Sequence, residues 1–510
     1  VFLSSAFGRA LRFSRGIAVL VLSSLGGFAA ADVHYFLQPE PAKHTFLVAI
    51  QWKADGDAAM VRIPAWSPGY YQIASYQDKI KGFEAHDDAG NALKVEHPDV
   101  RAWTVATQAG QAVHVSYRVT ASDAALGFFG SHLGTKEGFI NGPSAFMYID
   151  GHMTEPDTLQ VKAPSGWDLA TSLDTNESGD YEAKSGYDEL ADAPLQFGAF
   201  HREKFTVEGI PFEAIFVPGA EKMACDPRAE VERLRRVSAP AIQMFGGAGF
   251  KHYTYIIHLA VGEFAGGLEH RASTCIAVPN EAHLNLDDLA AHENFHAWNV
   301  KQIRPAVLGP FDYTKPDRTG LLWWMEGVTD YYAKLVTYRS GLYGTDWLLA
   351  QIGEQIQELQ GSNDRKSITL EEASRNCWEH GSFGFGDLSY YTKGLLVGLI
   401  FDAEIRSAKH GEKSLDDVIR LLFNRYRLPQ PGMAEDGIKS AIAEVVGSNA
   451  LDGLYDLMLR STRDLPYDSL RKIGLSVVAP GPGQKVAVMF DPSADADAVA
   501  QRNAWLARKG

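Results

Sequence analysis

His292 and His296 stand four residues apart in Ala291-His292-Glu293-Asn294-Phe295-His296, with Glu293 beside them. On a helix that spacing puts both imidazoles on one face, where they can reach the same cation, and the neighbouring carboxylate can take a proton from a water held there. A second segment, Trp323-Trp324-Met325-Glu326-Gly327-Val328-Thr329-Asp330, adds more acid. Glu326 would complete three protein ligands and leave a fourth position for water, the arrangement of a catalytic zinc. Asp330, one helical turn on, can accept a hydrogen bond from the outward nitrogen of His292 or His296 and hold that ring in its ligating tautomer. The set points to a zinc hydrolase. The plain alternative is a helix with two ordinary histidines and a solvated Glu326/Asp330 face. Trp323, Trp324 and Met325 read as core residues.

The elements that must carry these residues follow from periodicity. Apolar residues alternate over 45–52 and 113–119, with Gly, Asp and Pro breaking the chain between, so 32–200 reads as an antiparallel β domain. Within it Pro64-Ala65-Trp66-Ser67-Pro68-Gly69 is a turn or rigid loop, and Tyr70, Tyr71 and Tyr76 line either a ligand surface or a domain interface. Residues 205–216 and 253–259 are further strands, with a helix around 230–245 between them. Leu348, Ile352, Ile356 and Leu359 mark one amphipathic helix, and Leu415, Val418, Leu421 and Leu422 another, with Ser414, Asp416 and Asp417 capping its first turn. The expected class is multidomain α+β: the β domain, then an α+β catalytic domain over 201–470 whose second half is mainly helical. The Gly/Pro-rich run Ala479-Pro480-Gly481-Pro482-Gly483 and the small, polar residues after it make 471–510 a linker-like tail or a truncated domain.

A formal charge of −15 over 510 residues argues against nucleic acid as the main partner, since a phosphate backbone requires a basic footprint. Gly246-Gly247-Ala248-Gly249 lacks the lysine and spacing of a phosphate loop. Arg9, Arg12 and Arg15 precede an apolar stretch over 17–25 and then Ala29, Ala30 and Ala31, the order of a secretory signal peptide over 1–31. Periplasmic or secreted protein without a stable membrane span is the expectation. Cys225, Cys275 and Cys377 are too few for a disulfide scaffold, so core burial must supply stability.

Three segments in order carry a resemblance: His292-Glu293-Asn294-Phe295-His296-Ala297-Trp298-Asn299-Val300-Lys301, Glu326-Gly327-Val328-Thr329-Asp330-Tyr331-Tyr332 and Tyr390-Tyr391-Thr392-Lys393-Gly394. Over 32–470 the chain resembles the glycyl aminopeptidase family of zinc peptidases, which join an N-terminal β domain to a thermolysin-like catalytic domain. The resemblance implies His292, His296 and Glu326 as ligands of Zn2+ and Glu293 as the base. It makes Gly266-Gly267-Leu268-Glu269-His270 similar to the exopeptidase motif, with Gly266 and Gly267 at the strand edge that aligns peptide and Glu269 on the free amino terminus. It also makes Tyr391, rather than the adjacent Tyr390, the donor to the oxyanion; the alternative leaves both rings in the core. The implied substrates are peptides with free amino termini and a small first residue, Gly or Ala. Gly381, Gly384 and Gly386 would let a nearby loop adapt to substrate. The C-terminal PDZ domain of larger members does not fit into 472–510. Two rival functions remain: a zinc endopeptidase without the Glu269 anchor, and a noncatalytic peptide-binding envelope protein.

Overall fold

The computed structural model describes residues 33–122, 128–219, 221–260, 264–380, 383–478 and 485–508. The expected signal segment and the whole Gly/Pro run at 479–483 lie outside the described residues. A seven-stranded sheet opens the fold. Val33–Glu40 sits inside it between Thr45–Lys53, its antiparallel neighbour, and Asp157–Val161, which runs parallel. Thr45–Lys53 then pairs with Ala112–Thr120, joining the two segments whose alternation is visible in the sequence. Phe46, Val48, Ile50 and Trp52 face the main core of this region, while Leu47 and Ala49 meet Phe36 on the opposite face. Two four-stranded sheets complete the β-rich region.

A five-stranded sheet begins the second region. The expected single strand at 205–216 is a hairpin, His201–Val207 with Ile210–Val217, because Glu208 and Gly209 both take positive φ and turn the chain. Ile210–Val217, Tyr253–Ala260 and Ser273–Pro279 then run parallel. Helix Pro227–Phe245 forms the crossover, with Pro227 in its first turn and Asp226 accepting from Arg228 N–H. Gly266–Glu269 closes the sheet as an antiparallel edge strand on Ser273–Pro279.

From Asp287 onward the chain is largely helical, and its core is continuous with one face of this sheet. Thr345–Gly361 and Leu415–Tyr426 match the two amphipathic patterns, and Ser414 with Asp417 forms a capping box. The last segment departs from the expected linker-like tail. Leu475–Val478 pairs with Ala487–Phe490, and Ala496–Trp505 forms a helix whose N-cap Asp495 accepts from Ala498 N–H. Trp505 is fully buried, and its indole N–H donates to Tyr331 Oη at 3.0 Å. Leu475 and Val488 from the hairpin and Trp505 from the helix are all buried in the large core, and they anchor the segment.

Candidate active site

Helix Asp287–Phe295 carries His292 and Glu293, and His296 follows at its C-terminal end. The imidazoles stand edge to face, with their Nε2 atoms 2.9 Å apart. Glu326 arrives on a π-helical turn, Trp323–Val328, that runs directly into helix Thr329–Arg339. Such turns are rare and concentrate at functional sites. Glu326 Oε2 lies 3.1 Å from His296 Nε2 and 3.5 Å from His292 Nε2.

The outward nitrogens define what the inward ones can do. His296 Nδ1 is 2.8 Å from the carbonyl of Asn299, which can only accept, so the proton sits on Nδ1 and a neutral ring turns the lone pair of Nε2 inward. His292 Nδ1 is 3.2 Å from Asp330 Oδ1 and is polarised the same way. Two ring lone pairs and a carboxylate oxygen therefore converge on one point. That is a cation site, and its donor set of two imidazoles and one carboxylate is suited to zinc. Burial works against charge on the two rings, but Asp330 and Glu326 at His292, and Glu326 at His296, outweigh it and raise both above the ordinary histidine range. Burial likewise opposes charge on Glu326, and the facing imidazoles hold its carboxyl well below the usual carboxylate range. Lys334, ion-paired with Asp288 and attracting Asp330, extends the charged network outward.

Glu293 is buried in the same pocket, and Oε2 has no hydrogen-bond partner. Burial pushes its carboxyl up to about 7, against the pull of His292 and His296. Gly267 makes the space it occupies, since a Cβ there would lie 2.3 Å from Glu293 Oε1. Glu269, at the end of the same edge strand, brings a carboxylate oxygen within 4.8 Å of donor atoms of both Glu293 and His296. Its other neighbour is Lys301, whose side chain is 8% exposed, with Nζ 3.6 Å from Glu269 Oε1 and 2.8 Å from Asp192 Oδ1.

Tyr391 lies in the first turn of helix Tyr390–Ala408, its ring nearly parallel to His292 with centroids 6.0 Å apart. Burial, then Glu326, raises its phenol well above 10, keeping the proton available for donation. Tyr390 is fully buried and stacks on Tyr391 at 4.9 Å. The helix reaches the site because two glycines meet: a Cβ on Gly327 would fall 2.5 Å from Gly394 Cα, and one on Gly394 would fall 2.5 Å from Trp323 O. The Gly of each motif thus lets the Glu326 turn and the Tyr391 helix cross in contact. Gly384 and Gly386 belong to a small hairpin, Gly384–Phe385 with Leu388–Ser389, while Gly381 lies outside the described residues.

Five residues at the site escape the motif reading as individual participants. Asn299 ties two elements together, receiving His296 Nδ1–H on its carbonyl and donating its amide to Trp324 O and Thr329 Oγ1, both at 2.9 Å. Lys301 and Asp192 form the ion pair behind Glu269. Val300, between Asn299 and Lys301, has φ 123°, a strained conformation for a β-branched residue that typically costs about 1–3 kcal/mol. Tyr71 is the fifth. It reaches in from the β-rich region, is buried in the second core, and packs edge-on against Trp378 at 5.8 Å. Burial, then the charges of Glu326 and Glu269, raises its phenol above the ordinary tyrosine value. Only its place in a tyrosine-rich turn hinted at this.

Edge strand, paired histidines, distant glutamate and buried base define a metallohydrolase whose β-rich region closes over the site. Residues 34–199 match the Peptidase M61 N-terminal domain and residues 285–397 match the M61 glycyl aminopeptidase. The chain belongs to the M61 glycyl aminopeptidase family and is a metal-dependent aminopeptidase, acting on peptides at their N-terminal bond. An aminopeptidase N family protein from Idiomarina loihiensis is similar in structure, with 25% identity, a TM-score of 0.81, and coverage of 88% of this chain and 80% of that one. A zinc metallopeptidase of the M1 type from Deinococcus radiodurans, solved with a Tyr-Ser-Ala substrate, shares the fold at 15% identity and a TM-score of 0.55, covering 86% and 95%. No curated protein matches the sequence.

Proposed function

We propose that the cation is zinc, held by His292, His296 and Glu326, and that the chain removes small first residues, Gly or Ala, from peptides with free amino termini. Bound there, zinc would act as a Lewis acid on the scissile carbonyl and make an attacking water more acidic. Glu293 takes a proton from that water and returns it to the leaving nitrogen. Tyr391 donates to the oxygen that gains charge, and Asp330 keeps His292 in its ligating tautomer. Gly266 and Gly267 present a sheet edge along which the peptide backbone aligns. Glu269 pairs with the terminal ammonium.

The observation that carries this reading is the short separation of Glu269 from Glu293 and His296. A carboxylate so close to the water-activating group leaves room for one aminoacyl unit, so an ammonium held there presents the first peptide bond. We further read 32–200 as the N-terminal β domain and 201–470 as the catalytic domain, to which the C-terminal hairpin and helix add. Export to the periplasm or medium is supported by the arginines and apolar stretch at the start of the sequence. Among the described residues, no helix is long and apolar enough to cross a membrane.

The test is hydrolysis of matched Gly- and Ala-leading peptides with free and acetylated amino termini, using zinc-loaded protein and a Glu293→Gln control. Cleavage confined to free termini and abolished in the control is expected. Cleavage of acetylated peptides would favour the endopeptidase, and failure to bind zinc would favour the noncatalytic protein.

A further inference from the structure

A cavity of about 430 Å³ lies where the β-rich region meets the rest of the chain, and none of His292, Glu293, His296, Glu326 and Tyr391 lines it. Three cations line it, Arg271, Lys301 and Arg304, together with three acids, Asp188, Glu189 and Asp192. The acids are all engaged. Asp188 accepts from Tyr313 Oη at 3.0 Å and from Phe311 N–H at 3.4 Å. Glu189 accepts from the N–H and the hydroxyl of Ser185, at 2.8 and 2.7 Å. Asp192 accepts from Lys301 Nζ at 2.8 Å and from Arg271 N–H at 2.7 Å. The Arg271 side chain in turn donates to Ser185 Oγ at 2.9 Å.

Arg304 is left over. Its Nε is buried with no hydrogen-bond partner, and among the described residues no carboxylate forms an ion pair with its guanidinium. The backbone holds the residue in place. Arg304 O accepts from Met433 N–H and Ala306 N–H donates to Met433 O, both at 2.8 Å, and a Cβ on Gly309 would overlap the guanidinium. Burial lowers Arg304 below the usual guanidinium range; Asp188 pulls the other way, and the like charge of Arg271 adds to the lowering. An anion in this cavity would meet the unused donors and relieve both costs.

The remaining walls say which anion. Val300, Leu308, Phe311 and Leu428 are apolar. A hydrated phosphate gains nothing from such walls, whereas a carboxylate with an apolar body covers them while its planar head matches the guanidinium fork.

We propose that this cavity binds a small organic carboxylate with an apolar body, its head on Arg304 and its body against Val300, Leu308 and Phe311. The site is distinct from the peptide-cleaving centre and does not depend on the aminopeptidase reading.

The experiment is isothermal titration of N-acetyl-leucine, acetate and inorganic phosphate into the zinc-loaded full chain. N-acetyl-leucine carries no free amine for Glu269, acetate lacks the apolar body, and phosphate lacks the planar head. Expected is saturable binding of N-acetyl-leucine with a Kd of about 1 mM or below, and binding of acetate and phosphate weaker by roughly tenfold or more. Arg304→Met should weaken N-acetyl-leucine by roughly tenfold or more, and Arg304→Lys, which keeps the charge without the fork, by roughly threefold or more, with zinc content unchanged. Absence of saturable N-acetyl-leucine binding up to about 20 mM would overturn the proposal. So would a loss below about threefold in both variants, or in Arg304→Lys alone where Arg304→Met does not fold, because the carboxylate would then sit elsewhere, as on the zinc. Phosphate binding as tightly as N-acetyl-leucine would overturn the ligand class.

Discussion

Gly267→Ala should disable the base while leaving the metal donors in place. The glycine is not among those with positive φ, so alanine fits its backbone and the substitution tests a contact alone. The added Cβ would lie 2.3 Å from Glu293 Oε1, 2.5 Å from its Cδ and 2.7 Å from its Cγ, where ordinary contact begins at 3.4 Å. Either the carboxylate or the edge strand must retreat by about 1 Å. Glu293 is buried, and its side chain has little room to give. A 1 Å misplacement of a reacting group costs on the order of 100-fold, or about 2.7 kcal/mol of barrier. The assay is kcat on Ala-p-nitroanilide with zinc stoichiometry and Tm measured on the same preparation. Expected are full zinc occupancy, a Tm near wild type and kcat down by roughly 100-fold, between wild type and Glu293→Gln. A variant that binds zinc and keeps more than half of wild-type kcat would show that Gly267 does not set the position of the base.

Three further outcomes follow from the same geometry. Asp330→Asn weakens the hydrogen bond that orients His292, so zinc affinity measured by competition with a chelator should fall about 10- to 100-fold. The Asp192 side chain is 11% exposed, and although its partial burial opposes its charge, Lys301 and His270 lower its pKa from 3.8 to about 2. Because the folded value is depressed, its contribution of about 2 kcal/mol is present above pH 4 and is lost as pH falls toward 2. Lys301→Met, which strands Asp192 and Glu269 without their shared cation, should cost about 3–5 kcal/mol by urea unfolding at neutral pH and flatten that acid limb. Trp505→Ala, which removes the buried indole against Tyr331, should cost about 3–5 kcal/mol by the same measurement, although it lies outside the site.

What the sequence determined by itself is what rests on local periodicity and short spacing. His292, Glu293 and His296 need only a helix to share a direction, and a four-residue interval carries that information without any partner. The same holds for the alternating strands Thr45–Lys53 and Ala112–Thr120 and for the capped helix at Leu415. Glu326 and Tyr391 were legible because each stands in a motif with its own glycine, although the reason for those glycines, the crossing at Gly327 and Gly394, was not. The tertiary structure alone decided what meets across long separations. Gly69 comes from one region and Glu269 from the other. Asp192 reaches Lys301 from the β-rich side, and Trp505 inserts beside Tyr331 from the far end of the chain. No interval in the sequence encodes these contacts, because they depend on how two separately patterned cores pack. The C-terminal segment folds for the same reason: Leu475, Val488 and Trp505 are buried once a core exists to receive them, although the residues between them are largely small and polar.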